Sequence, residues 1–248
     1  MIASLPMYDR PETHDQTDAF WRAIRDRLRA RELAAPDALT RSGDPWADWL
    51  DPDLVFSQSC SLPYRAKLHG RVSVIAAPEY GIDCPAGHTY SVIVAAREAL
   101  HDSPRLAIND GLSQSGWAAA YDWIRARGIE PASILASGSH IASARAITEG
   151  RADFAAIDAQ SWHFLRRYDA FAADLVVLDA TPPKPMLPYI TRQDLPAQAM
   201  AQALFAAVES LSAATKEALN LRGIAEVDPA AYLAMGQPPA PQDVAELR

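Results

Sequence analysis

Three short polar stretches of this chain carry residue types that bind anions. They are Ser113-Gln114-Ser115-Gly116, Ser139-His140 and Asp158, and each comes directly after a short apolar run. Serine hydroxyls and the first N–H groups of a helix donate hydrogen bonds to an anion, and a nearby anion favours charged histidine. A glycine lets a ligand approach the backbone closely. These stretches therefore predict a site for a small anion.

Each stretch also has a purely structural interpretation. Serine and aspartate are favoured N-caps, so any one of these side chains alone is explained by capping a helix. An exposed helix start attracts an anion by only about 0.3–1 kcal/mol, so a useful site needs several helix starts together. A carboxylate such as Asp158 repels an anion, and its presence in a site indicates a ligand with a donor: an amine, a hydroxyl or a proton on the anion.

The elements around these stretches form three strand–turn–helix units. Residues 106–108, 134–135 and 154–157 are apolar runs that predict strands, and each leads through its polar turn into a predicted helix. Helix starts that follow neighbouring parallel strands converge on one crevice, where open α/β sheets bind ligands.

Further elements support an α/β architecture. Strands are predicted at 2–5, 54–56 and 71–77, and two more at 90–95 and 175–178 are interpreted as crossings between lobes. Helices are predicted over 15–30 and 215–221, and around the apolar face formed by Met200, Leu204, Val208 and Leu211.

Composition narrows the classes of protein. The chain has 248 residues, 49% hydrophobic residues and a net charge of −8. This acidity argues against nucleic acid and anionic membrane surfaces as partners. The first residues show no export signal, so we expect a cytosolic chain or one whose precursor segment has been removed. Cys60 and Cys84 are either one disulfide or two reduced thiols.

Catalytic and cofactor motifs find little support. Ser115, His140 and Asp158 have the residue types of a hydrolase triad, but the G-x-S-x-G elbow does not occur. The histidines form no H-x-x-x-H pair and the cysteines no C-x-x-C pair, so no metal site is expected. Neither dinucleotide nor nucleoside triphosphate motifs occur. We therefore expect neither a cofactor nor an enzymatic activity.

Several motifs, taken in their order, resemble a known family. They are Leu5-Pro6-Met7-Tyr8-Asp9, Ser57-Gln58-Ser59-Cys60 with Pro63-Tyr64, Ser113-x-Ser115-Gly116, Gly138-Ser139-His140 and Ile157-Asp158-x-x-Ser161-Trp162. Together they resemble the phosphate, phosphite and phosphonate substrate-binding proteins of ABC transporters, which have the type II periplasmic-binding-protein fold. One departure is Ser61, where the family pattern has glycine after Cys60.

The resemblance implies two α/β lobes joined by two crossover hinge strands, with residues 1–91 and 179–248 in lobe I and 92–178 in lobe II. It implies a small phosphorus oxyanion held in the cleft between the lobes, a membrane permease as partner, and a monomeric periplasmic protein. The implied ligand-binding residues are Ser113, Gln114, Ser115, Gly116, Ser139, His140, Asp158, Tyr90, Gln58 and Tyr8.

Two other functions stay open at this point. One is a cytosolic enzyme of the same fold acting on a small carboxylate, similar to enzymes of menaquinone biosynthesis. The other is a cytosolic ligand sensor. The doubled serine turn and Ser139-His140 favour a compact oxyanion over a larger carboxylate.

Overall fold

The structure is a computed structural model that describes residues 1–242 and 244–246. The strands are β1 Ile2–Ala3, β2 Leu54–Gln58, β3 Val72–Tyr80, β4 His88–Thr89, β5 Ser91–Ala95, β6 Arg105–Ile108, β7 Ser133–Ala136, β8 Phe154–Asp158, β9 Val176–Ala180, β10 Lys184–Pro185, β11 Tyr189–Arg192, β12 Leu221–Ala225 and β13 Val244–Glu246. The α-helices are α1 His14–Arg29, α2 Pro45–Leu50, α3 Ser61–Pro63, α4 Ala119–Arg127, α5 His140–Thr148, α6 Ala159–Tyr168, α7 Ala197–Ser210, α8 Ala213–Ala218 and α9 Pro229–Leu233. Two π-helical turns, Tyr64–Leu68 and Gln114–Ala118, adjoin α3 and α4, and 3-10 turns lie at Pro11–Thr13 and Ala170–Asp174.

The chain divides into two compact units. Unit 1 comprises Met1–His88 and Pro185–Met235, and unit 2 comprises Thr89–Lys184 together with the described residues from Gly236 onward. Within the part of the chain that the structure describes, no helix combines the length and the apolar character needed to cross a bilayer.

Unit 1 is built on a five-stranded mixed sheet in the order β1-β2-β11-β3-β12. Strands β1 and β2 are parallel, whereas β11 runs antiparallel to both of its neighbours. Its main core packs α1 and α7 against this sheet, because Phe20, Ile24 and Leu28 recur every four residues and share one face of α1. The predicted helix over 15–30 is therefore observed, within one residue at each end.

Unit 2 is built on a six-stranded sheet in the order β13-β7-β6-β8-β5-β9. Strands β13, β7, β6 and β8 are parallel, and β5 runs antiparallel to β8 and β9. Successive side chains of β8 alternate between two cores: Ala155 and Ile157 pack with α5 and α6, whereas Phe154 and Ala156 pack with α4. Helices on both faces explain why these strands are apolar throughout.

The observed division differs from the lobe bounds expected from the sequence. Strands β5 and β9, which were expected to cross between the lobes, pair with each other inside the sheet of unit 2. The chain instead enters unit 2 at 88/89, leaves it at 184/185 and returns to it at 235/236.

The C-terminal segment also differs from its expected place in lobe I. It belongs to unit 2, because the indole Nε1 of Trp117 donates to the carbonyl oxygen of Pro239 at 2.8 Å and β13 pairs with β7. Both are long-range contacts that no local sequence pattern signals.

Candidate functional site

The serine turn after β6 forms a wide first helical turn. Ser113 is its N-cap: its Oγ accepts the N–H of Gly116 at 2.9 Å, and its carbonyl oxygen accepts the N–H groups of Trp117 and Ala118. Ser113, Gln114, Ser115 and Gly116 are all buried. The hydroxyl of Ser113 is thus used in capping, which leaves Ser115 as the serine of this turn that contacts another functional side chain.

Gly116 lies in close contact with the side chain of Asn109. A Cβ atom added to Gly116 would lie 1.8 Å from Oδ1 of Asn109. A side chain at this position would therefore force the carboxamide of Asn109 or the start of the helix to move.

Ser115 and His140 join the first two polar stretches. The Oγ of Ser115 lies 3.0 Å from Nε2 of His140, the first residue of α5. Their strands β6 and β7 are parallel neighbours, so the two helices start side by side. Ser139 caps α5 by accepting the N–H of Ala142 at 3.1 Å, and it is exposed.

The ring of His140 is electrostatically unusual. Burial lowers its pKa to about 4, because the charged ring would lose its hydration, so the ring is neutral at pH 7. Its Nδ1 atom is buried and has no hydrogen-bond partner among the described residues, although the residue as a whole is partly exposed.

Asp158 caps α6 and is also bonded to Thr89 at the end of β4. Its Oδ1 accepts the N–H of Ser161 at 3.0 Å, and its Oδ2 accepts the hydroxyl of Thr89 at 3.3 Å. Asp158 is buried, with only 1% of its surface exposed. The structural interpretation of Asp158 as an N-cap is therefore observed, and a further contact with a ligand stays a prediction.

Tyr90 lies at the same helix start. Its carbonyl oxygen accepts the N–H of Ala159 at 3.0 Å, and its ring packs against the core of unit 2 that contains Ile157 and Leu165. The structure thus brings Tyr90 and Asp158 together at the beginning of α6.

A residue that sequence reasoning missed connects the two parts of the site. Ser91 is the register partner of Asp158 across β5 and β8, and its Oγ donates to the carbonyl oxygen of Ser115 at 3.0 Å. His140, Ser115, Ser91 and Asp158 therefore follow one another across unit 2. A serine at the start of an apolar strand was the only signal in the sequence, and it is a common one.

The two remaining predicted residues, Gln58 and Tyr8, belong to unit 1. Gln58 ends β2 and is 2% exposed, and its Nε2 donates to the carbonyl oxygen of Leu187 at 3.3 Å. The ring of Tyr8 packs edge-on against Tyr80 with 5.1 Å between ring centroids. The contribution of both residues to ligand binding stays a prediction.

The structure also answers the question about cysteines. Cys60 and Cys84 are two reduced thiols and not one disulfide, and burial together with the charge of Asp83 raises the pKa of Cys84. Among the described residues, no group of three His, Cys, Asp or Glu side chains is placed to hold a metal ion.

Comparison with solved structures defines the class of fold. PhnD1 of Prochlorococcus marinus, solved with methylphosphonate, is 15% identical with a TM-score of 0.69, and the match covers 93% of this chain and 94% of that one. A binding-protein component of an ABC phosphonate transporter of Pseudomonas aeruginosa, PA3383, is 15% identical with a TM-score of 0.68, over 93% and 82% of the two chains. XAC2383 of Xanthomonas citri, solved with ATP, is 16% identical with a TM-score of 0.68, over 93% and 92%. These likenesses confirm the predicted two-lobe type II periplasmic-binding-protein fold.

Sequence comparison then gives the family. The model of the family described as ABC transporter, phosphonate, periplasmic substrate-binding protein matches residues 54–232, and the chain belongs to this family. Curated protein sequences give no match. The predicted family and the predicted function as the solute-binding component of an ABC importer are confirmed. The family is one of periplasmic transport proteins that work with a membrane permease.

Proposed function

We propose that unit 2 binds a small phosphorus oxyanion at the Ser115–His140 pair. The observation that carries this proposal is the 3.0 Å contact between Oγ of Ser115 and Nε2 of His140, next to a buried Nδ1 that has no partner among the described residues. A buried polar group without a partner costs about 1–3 kcal/mol, so it needs an explanation.

Counting protons explains why the pair suits an anion. A neutral His140 carries one ring proton and Ser115 carries one hydroxyl proton, and their mutual hydrogen bond uses only one of the two. If Ser115 donates to Nε2, the proton on Nδ1 remains available. If Nε2 donates to Ser115, the serine hydroxyl proton remains available. In either tautomer the pair keeps one donor for a ligand.

The helix starts add further donors. The N–H groups of a first helical turn have no carbonyl partner four residues earlier, and the helix dipole favours negative charge there. The turn beginning at Gln114 and helix α5 start beside each other because β6 and β7 are paired. A compact oxyanion with several oxygens uses such a cluster better than an extended ligand does. Membership of the family supports phosphonate, phosphite or phosphate as that oxyanion.

Asp158 bears on which oxyanion binds. Both of its carboxylate oxygens accept a hydrogen bond from the protein, and a carboxylate in an anion site favours a ligand that carries a donor such as an amine. We propose that Asp158 selects an aminoalkylphosphonate, with Tyr90, Gln58 and Tyr8 as further contacts. We propose further that the protein acts as a monomer in the periplasm. There it captures the ligand without catalysis and delivers it to the permease.

A binding panel tests this function. Purified protein is mixed with phosphate, phosphite, methylphosphonate, 2-aminoethylphosphonate, sulfate and small carboxylates, and unfolding is followed by thermal shift and binding by calorimetry. Ligand at 100 times its dissociation constant should add about 2.7 kcal/mol to the free energy of unfolding. Ser115→Ala and His140→Ala should lose the response, whereas Ser103→Ala, at an exposed serine of unit 2, should keep it.

The panel also separates the alternatives. Equal responses to methylphosphonate and 2-aminoethylphosphonate would mean that Asp158 only caps its helix. A response to a carboxylate alone, or unchanged affinity in both site variants, would refute the proposed ligand class and site.

A further inference from the structure

Asn109 lies between the two turns of the proposed site. It directly follows β6, and its carbonyl oxygen accepts the N–H of Gly138 at 3.0 Å, two residues before His140. On the other side, its carboxamide lies against Gly116, because a Cβ on Gly116 would come within 1.8 Å of Oδ1. One residue thus touches the residue next to Ser115 and the turn that leads into α5.

The carboxamide of Asn109 is an incompletely used polar group. Its Oδ1 is buried without a hydrogen-bond partner among the described residues. The residue itself is only partly buried, and its amide nitrogen is not among the buried groups that lack a partner. An asparagine amide offers two N–H donors. A residue that served only to fill space beside Gly116 would not need them.

We propose that the amide nitrogen of Asn109 is a further ligand contact, which donates a hydrogen bond to an oxygen of the bound oxyanion. This inference rests on the function proposed above and deepens it. The donor is neutral and is held in place by the contacts of its oxygen and backbone with Gly116 and Gly138.

The contact bears on the choice of ligand. A phosphonate or phosphite group presents three oxygens to its site, and a carboxylate presents two. The Ser115–His140 pair supplies one donor and the helix starts supply backbone N–H groups. A third kind of donor at Asn109 therefore has an oxygen to bind on a phosphorus oxyanion and none left on a carboxylate, which favours the phosphorus oxyanion.

Two substitutions in the full-length protein test this role, with methylphosphonate and inorganic phosphate as probes. Asn109→Asp keeps the shape and the oxygen beside Gly116 but replaces the amide by a charged oxygen. Asn109→Ser removes the carboxamide without adding charge. The donor role predicts a loss of affinity of about tenfold for Asn109→Ser and about a hundredfold or more for Asn109→Asp. Ser103→Asp adds the same charge at an exposed position of unit 2 and should stay within about twofold of the wild type.

The neutral Asn109→Ser variant decides the matter, because a carboxylate added near the site repels an anion even where Asn109 makes no contact with it. If Asn109 only packs against Gly116, Asn109→Ser binds both probes within about twofold of the wild type, which overturns the inference. Thermal melts of the ligand-free variants show whether each one folds. If the wild type binds methylphosphonate or phosphate and neither variant binds it less tightly, the role of Asn109 is overturned and the proposed function still stands. A wild type that binds none of them overturns the proposed function as well.

Discussion

Both units bury polar side chains at the ends of their strands, but they pair them differently. In unit 1, the hydroxyls of Ser4 and Ser57 bond to each other at 2.9 Å, and Oγ1 of Thr191 donates to the carbonyl oxygen of Val55 at 2.7 Å. In unit 2, Nδ1 of His140 and Oδ1 of Asn109 are buried without a partner among the described residues. Paired groups stabilise a fold, whereas unpaired ones are costly unless a ligand completes them. The comparison suggests a structural role for the first set and a binding role for the second.

Ser61 is an exception in unit 1. It is fully buried, and its Oγ has no partner among the described residues. The resemblance stated from the sequence places a glycine at this position. Ser61 is therefore the residue at which the comparison between the two units is best tested.

The largest effect is expected from Gly116→Ala. The new Cβ would collide with Oδ1 of Asn109 at 1.8 Å and displace the turn that carries Ser115. We expect the free energy of unfolding to fall by about 1–3 kcal/mol and ligand affinity to fall at least about a hundredfold. Chemical denaturation and calorimetry measure the two quantities.

A double variant sharpens this prediction. Asn109→Gly in the Gly116→Ala background removes the collision and should restore stability but not ligand affinity. Wild-type stability and affinity in the single variant would contradict the close contact between these two residues.

The next effect concerns pH and the buried ring of His140. Its pKa of about 4 in the folded protein lies below the ordinary value of 6.5. Between these values the unfolded chain binds more protons, so the free energy of unfolding should fall as pH drops from about 6.5 to 4. Because the residue is partly exposed, we expect this loss to be roughly 1–3 kcal/mol, and it should be absent above pH 7.

Urea denaturation at a series of pH values checks the slope, and His140→Gln should flatten it. An oxyanion next to the ring favours the charged form. Calorimetry at about pH 5 in two buffers of different ionisation enthalpy should therefore show proton uptake on binding, whereas at pH 7 the ring stays neutral. Binding with neither proton uptake nor sensitivity to His140→Gln would place the anion elsewhere.

A smaller effect is expected from Ser57→Ala in unit 1. It leaves the buried hydroxyl of Ser4 without its partner, and we expect a loss of stability of about 1–2 kcal/mol with unchanged ligand affinity. Ser115→Ala also removes a hydrogen-bond partner, that of Nε2 of His140, but unlike Ser57→Ala it should reduce ligand affinity as well. Equal behaviour of the two variants would remove the distinction between the units.

The smallest effect is expected from Ser61→Ala. Removing a buried hydroxyl that has no partner among the described residues avoids its desolvation cost, so stability should stay within about 0.5 kcal/mol of the wild type or rise slightly. A clear loss of ligand affinity in this variant would mean that Ser61 belongs to a binding site after all.

The strand–turn–helix units of unit 2 were predictable because their signals are local. An apolar run followed by a capping residue, as at Ile157-Asp158, predicts where a strand ends and a helix begins, and β8 and α6 meet there. The same logic found Ser113 and Ser139 as residues at helix starts, and the structure shows both as N-caps.

What the sequence could not provide depends on long-range pairing. Strand β12 was not predicted, and only its first residue, Leu221, lies in the stretch predicted as helix, because the strand forms by pairing with β3 more than 130 residues earlier. Asn109 was not predicted as a site residue either, since an asparagine after a strand is common. Its contact with Gly116 is visible only in the structure. The choice between Ser113 and Ser115 required the same three-dimensional information.

The division of the chain has a consequence for the order of folding. Apart from β13, every strand of the unit 2 sheet lies between residues 89 and 184, so this sheet closes through comparatively local contacts. The sheet of unit 1 cannot close until β11 reaches β2, which pairs Tyr189 with Gln58. Because low contact order speeds folding, the amide groups of unit 2 should become protected from exchange first during synthesis. The first 88 residues should become protected only after β11 has been made and has completed their sheet.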